Sequence, residues 1–126
     1  MSANIQEFQH TIAKEVSYSG IGLHSGKDVL MTLKPAEANT GVTFIRTDLP
    51  GCPEIKAVAE NVSSTVKATT LSANGAEVFT VEHLMAAIAL SGVDNIRIEM
   101  FSPEPPVTHG SAKVFCVLLG EAGLVE

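Results

Sequence analysis

The sequence changes character once, at Thr80, and that change bounds the fold more tightly than any other feature. Upstream, short apolar–polar alternations punctuated by Gly, Pro and Asn read as strands. Downstream come one helical pattern, one alternating segment and a second helical pattern. Strands grouped ahead of a helix–strand–helix tail predict an α+β fold. The expected form is a two-layer sandwich, a mixed β-sheet packed against two helices over about residues 80–91 and 111–122.

Within the upstream part, Ile12, Val16 and Tyr18 share a parity and predict one strand from His10 to Tyr18. Residues 29–33 predict a second strand, ended by Pro35, and residues 42–47 a third. Residues 55–59 and 68–72 are weaker candidates. Asn74-Gly75 is a strong hairpin signal between 69–72 and 76–79. Gly20, Gly22 and Gly26 punctuate the loop SGIGLHSGK, where the backbone can take positive φ or pass close to another segment.

Past the change, Val81, Leu84, Met85 and Ile88 fall at helical spacing, with Thr80 as the expected N-cap and Gly92 as the stop. Ile96, Ile98 and Met100 then alternate as a strand. Ser111 is placed to cap the last helix, which is apolar nearly all round and therefore expected to be buried. Met31, Met85 and Met100 read as core residues.

Length bounds the organisation: 126 residues make one domain, read as a loose leader over 1–9 and a single unit over 10–126. Hydrophobic residues at 45% against charged residues at 17% argue against disorder. Fourteen acidic and eight basic residues give a net charge of -6, which argues against a nucleic-acid surface. Lys67 and Arg97 are candidate local anion contacts or solvated surface charges. Cys52 and Cys116 form no CxxC pair, so neither a disulfide framework nor a cysteine zinc site is expected. No apolar leader and no run near the ~18 residues of a membrane span are present, which points to a cytoplasmic protein without a transmembrane segment.

Glu82-His83 is the first chemical candidate. Both fall in the first turn of the helix predicted after Thr80. The positive end of a helix dipole favours anions over cations, and a metal takes the neutral imidazole. A carboxylate beside a ligand imidazole can serve as general base toward water. The same dipeptide also reads as an ordinary acidic first turn with a surface histidine. His24 and Asp28 have HxxxD spacing, but Gly26 lies between them in a loop, so His24 alone facing a pocket is the better reading. His109 precedes the last helix and His10 opens a strand; both read as structural or exposed.

Four segments carry a resemblance in their order: GIGLHSGK (20–27), LKPAEANTGVTFIRTD (33–48), TVEHLMAAIALSGVDNIRIE (80–99) and PEPPVTHGSAKVF (103–115). Together they resemble the amino-terminal half of the UDP-3-O-acyl-N-acetylglucosamine deacetylases, zinc enzymes of lipid A biosynthesis, over about residues 9–125. The resemblance implies two similar domains, each a sheet layered on two helices, with the active site between them. It implies Glu82 as general base and His83 as one zinc ligand. It places Leu23 and His24 near the cleft, and Lys67, Ala68 and Thr69 on a pocket wall.

The family's other zinc ligands, in an H-K-x-x-D motif, and a catalytic histidine come from the second domain, and this sequence has no counterpart of them. A catalytic zinc site takes about three protein ligands, so tight zinc binding by this chain alone is not expected. His109 stands where the family has Asp before GSA. Lys67 and Ala68 stand where it has an apolar residue and a small polar one or Cys. The resemblance therefore implies a zinc-dependent deacetylase domain that is inactive alone. Its expected partner is a second deacetylase domain, a full-length deacetylase or a second copy of itself. The alternative is an inactive paralogue that binds a partner and regulates lipid A synthesis.

Overall fold

A computed structural model of the chain describes residues 9–21, 28–65, 69–106 and 113–126. Ten strands and two helices follow in the order β1 Thr11–Ile12, β2 Val16–Ile21, β3 Asp28–Pro35, β4 Val42–Arg46, β5 Glu54–Lys56, β6 Val62–Ser64, β7 Thr70–Ala73, β8 Ala76–Phe79, α1 Glu82–Leu90, β9 Ile96–Met100, α2 Lys113–Ala122 and β10 Leu124–Val125. The expected α+β class is what forms.

The main sheet has five strands in the order β2-β3-β9-β4-β5. It is mixed, because β9 runs antiparallel to β3 and parallel to β4. One rung crosses all five strands: Val16, Leu33, Ile98, Phe44 and Ile55 are successive register partners. Leu33, Ile98, Phe44 and Ile55 are at most 1% exposed. The alternation of Ile96, Ile98 and Met100 puts all three on this face, at 0% exposure. Leu84, Ala87 and Ile88 of α1 and Phe115, Leu118 and Leu119 of α2 close the same core.

Several elements depart from expectation. The single strand predicted from His10 to Tyr18 is two. Val16 and Tyr18 pair with β3, whereas Thr11 and Ile12 pair with Val125 and Leu124 at the far end of the chain. The chain bends between them to serve two sheets. In place of one sheet the described residues form three, the third being β6-β7-β8. The Asn74-Gly75 hairpin forms as predicted between β7 and β8, with both turn residues at positive φ (54° and 78°). Of the loop glycines, Gly20 has a close approach: a Cβ there would lie 3.1 Å from Pro106 Cβ. Gly22 and Gly26 lie outside the described residues.

α2 is buried along one side only. Phe115, Leu118, Leu119 and Ala122 face the core, while Val117 is 53% exposed. Apolar composition all round therefore does not mean burial all round here. Met31 and Met100 are fully buried, and Met85 packs at the core's margin. Gln9, at the end of the predicted leader, is held by hydrogen bonds to Asn39 and by the Asn95 side chain, which donates to its Oε1. Among the described residues no helix is long and apolar enough to cross a membrane.

Arg46 shares the parity of Phe44 and is 7% exposed. Its Nε and Nη2 donate to the two Asp48 oxygens at 2.8 and 2.7 Å, and its Nη1 donates to the Glu77 carbonyl at 2.8 Å. Those hydrogen bonds hold the Asp48 carboxyl below the usual carboxylate range. A depressed folded pKa gives stability that is present above the unfolded pKa and is lost as pH falls through the folded one. Asp48→Asn is expected to cost about 2 kcal/mol near neutral pH. It should also flatten the acid limb below about pH 4, measured by urea unfolding across pH. An unchanged acid limb would show that this pair does not set acid stability.

Candidate functional site around the start of α1

The first turn of α1 carries Glu82 and His83, the first exposed and the second half-buried. The helix starts here because β8 ends at Phe79 and a single residue, Thr80, joins it to helical backbone. Thr80 takes a left-handed conformation, φ 59°, and fully buried Val81 already has right-handed helical geometry. The expectation that Thr80 caps the helix is therefore corrected. A capping residue needs extended backbone so that its side-chain oxygen can reach the next amides. Val81 occupies the N-cap position, and no side-chain capping hydrogen bond is made. The predicted stop holds, with Gly92 at φ 76° just past Ser91.

Thr69 is brought directly to Glu82. Its backbone N–H donates to Glu82 Oε1 at 3.2 Å, and its carbonyl accepts the Thr80 N–H at 3.0 Å. On the other side, the Phe79 N–H donates to the Pro103 carbonyl at 2.8 Å. The carboxylate is thus fixed by a strand-end amide and sits where α1 presents its unpaired N–H groups. Leu23, His24, Lys67, Ala68 and His109 lie outside the described residues.

Among the described residues no group of three or more His, Cys, Asp or Glu side chains is placed to hold a metal ion. His83 is a single imidazole, and a catalytic zinc site takes about three protein ligands. The described residues do not by themselves fit the whole metal site. The other sequence candidates sit elsewhere. Arg97 alternates with Ile96 and Ile98, so it lies on the sheet face away from the helices. There its Nη2 is 3.2 Å from Glu54 Oε2. His10 is tied to Asp94 at the opposite end of α1, its backbone N–H donating to Oδ2 at 2.8 Å. Asp28 opens β3 and is exposed. Cys52 is exposed and Cys116 half-buried, and both are free thiols.

An open cleft of about 510 Å³ lies against Arg46, Leu49, Ser72, Ala73, Gly75, Ala76 and Glu77, away from Glu82 and His83. Its only guanidinium is already engaged by Asp48 and Glu77. What sequence reasoning missed is the backbone: the Thr69 amide, the Pro103 carbonyl and the Thr80 conformation carry no residue-type signal.

Residues 9–126 match the model of the family described as LpxC: UDP-3-O-acyl N-acetylglycosamine deacetylase. A UDP-3-O-acyl-N-acetylglucosamine deacetylase from Thermosynechococcus vestitus is 51% identical over 117 residues, which is 93% of this chain and 41% of that relative. One from Myxococcus xanthus is 49% identical over 118 residues, 94% of this chain and 38% of the relative. The bifunctional enzyme LpxC/FabZ of Chlorobaculum tepidum is 44% identical over 118 residues, covering 25% of its length. The chain therefore spans about two-fifths or less of the curated relatives it matches. A match that runs through the main sheet, the Glu82-His83 turn and both helices leaves one conclusion: this chain belongs to the UDP-3-O-acyl N-acetylglycosamine deacetylase family.

Proposed function

We propose that this chain supplies one side of a deacetylase site acting on UDP-3-O-acyl-N-acetylglucosamine in lipid A biosynthesis, in the cytoplasm. The observation that carries the reading is the Glu82 carboxylate, exposed on the first turn of α1 beside His83 and steadied by the Thr69 amide. In this reading Glu82 takes a proton from the water that adds to the acetyl carbonyl. The C–N bond then breaks, the sugar nitrogen is protonated and acetate leaves. His83 would be one ligand to a zinc ion, which when bound would polarise such a carbonyl. The remaining ligands come from a second domain, and residues 10–126 act as one folding unit.

The helix layer offers exposed apolar side chains to a partner. Leu90 is 78% exposed and Val117 53% exposed, on sides of α1 and α2 turned away from the core. Exposed apolar side chains on a helix layer fit a surface that a second layer covers. The same observation favours a second reading, an inactive partner-binding domain that regulates lipid A synthesis.

Mixing the chain with the carboxy-terminal part of the Thermosynechococcus vestitus relative, with zinc, separates the two. Acetate release from the UDP-sugar, absent from either part alone, is the expected result. Association without acetate release would favour the regulatory reading. Neither association nor release would sink both. Leu90→Asp is expected to weaken association by about tenfold, since burying an unpaired carboxylate opposes docking. Unchanged affinity would move the interface elsewhere.

A further inference from the structure

We infer that Thr80 is a positioning residue for Glu82, retained in an unfavourable conformation because that conformation aims the carboxylate at the Thr69 amide. The inference rests on the reading of Glu82 as general base. Among the described non-glycine residues with positive φ, the others are Asn39, Asn74 and Cys52; Thr80 is the one β-branched side chain. Asn visits this region readily, whereas a β-branched residue there is strained. Thr80 Oγ1 is also shielded from solvent and has no hydrogen-bond partner among the described residues. One residue thus carries two misfits, and a glycine would relieve both.

The surroundings explain what the misfits accomplish. Thr70 and Phe79 are register partners in the β7–β8 ladder. One step on, the Thr69 carbonyl takes the Thr80 N–H, while the Thr69 N–H goes to a side chain, Glu82 Oε1. Both backbone groups of Thr69 are thus claimed by the segment 80–82. Phe79 is pinned by Pro103, and Val81 is fully buried with its carbonyl already accepting the Met85 N–H. A single left-handed residue must join these two fixed ends. With an extended residue at 80, α1 would leave β8 in another direction and Glu82 would lose the Thr69 amide. Strain held next to chemistry by its surroundings is the expected mark of such a joint.

The test reads the Thr69 amide proton by NMR in the chain itself while Glu82 is titrated. An amide donating to a carboxylate shifts as that carboxylate ionises, and Glu82→Gln should abolish the shift. Thr80→Gly takes the left-handed conformation without strain and is expected to keep the shift, while the melting temperature holds or rises by roughly 3–6 °C; Thr80→Pro, whose ring fixes φ at about −65°, cannot take it and is expected to at least halve the shift. Thr80→Val keeps the branched shape, removes the hydroxyl and is expected to keep the shift. In the reconstituted two-part protein, Thr80→Pro is expected to lower kcat by about tenfold with KM little changed. A full shift in folded Thr80→Pro would overturn the inference, as would loss of the shift in Thr80→Gly. So would an equal loss in Thr80→Val, which would place the effect in the hydroxyl. If Glu82→Gln left activity intact while the Thr80→Pro shift collapsed, the assignment of Glu82 as base would fail and the positioning of its carboxylate would stand.

Discussion

Replacing Glu82 by Gln is expected to lower acetate release by the reconstituted two-part protein about 10²–10⁴-fold, the usual loss on removing a general base. Gln keeps the shape and an Oε1 that can accept the Thr69 N–H, so the hydrogen bond at 3.2 Å has a successor. What it cannot do is take a proton. The side chain is exposed and lies outside the core, so stability should change by less than about 1 kcal/mol, the scale of a lost charge at a helix N-terminus. The signature is therefore a large fall in kcat, a nearly unchanged KM and a nearly unchanged urea midpoint. His83→Ala should lower activity as well, and with it the zinc retained by the two-part protein. Activity within threefold of the parent in Glu82→Gln would remove Glu82 from the chemistry.

Phe44→Ala has the largest expected effect on folding. Phe44 is fully buried on β4, with register partners Ile98 on one side and Ile55 on the other. Removing the ring loses its transfer free energy and leaves a cavity between strands that cannot close around it. The expected cost is about 3–5 kcal/mol. A domain of this size is stable by roughly 5–15 kcal/mol, so the variant would sit near the edge of folding. Val117→Ala provides the contrast: its side chain is 53% exposed, and the change should stay within about 0.5 kcal/mol. Equilibrium urea unfolding of both variants is the measurement. A cost below 1 kcal/mol for Phe44→Ala would mean that the cross-sheet rung does not hold the core together.

The candidate site was legible in part. Glu82 and His83 announce a helix start by residue type, and the helix does begin at Glu82. Their partner was less visible. Thr69 contributes through its backbone, and any residue except proline has that amide. Arg46 illustrates the same gap in the core. Its parity with Phe44 implies an inward direction, but its burial depends on Asp48 and the Glu77 carbonyl being there to receive it.

The sequence by itself determined the elements whose cause is local. Alternation along 96–100 made a buried strand, Asn74-Gly75 made a hairpin, and the i, i+3, i+4 pattern from Val81 made a helix that ends at Leu90, ahead of Gly92. Only the tertiary structure decided which strands meet. It placed β9 between β3 and β4, paired β1 with β10, and turned Thr80 left-handed. The physical reason is range. Periodicity, caps and turns are fixed by neighbours a few residues apart. Strand partners 50 or more positions apart are chosen by the burial they jointly achieve, and a strained φ is held by contacts on every side of it.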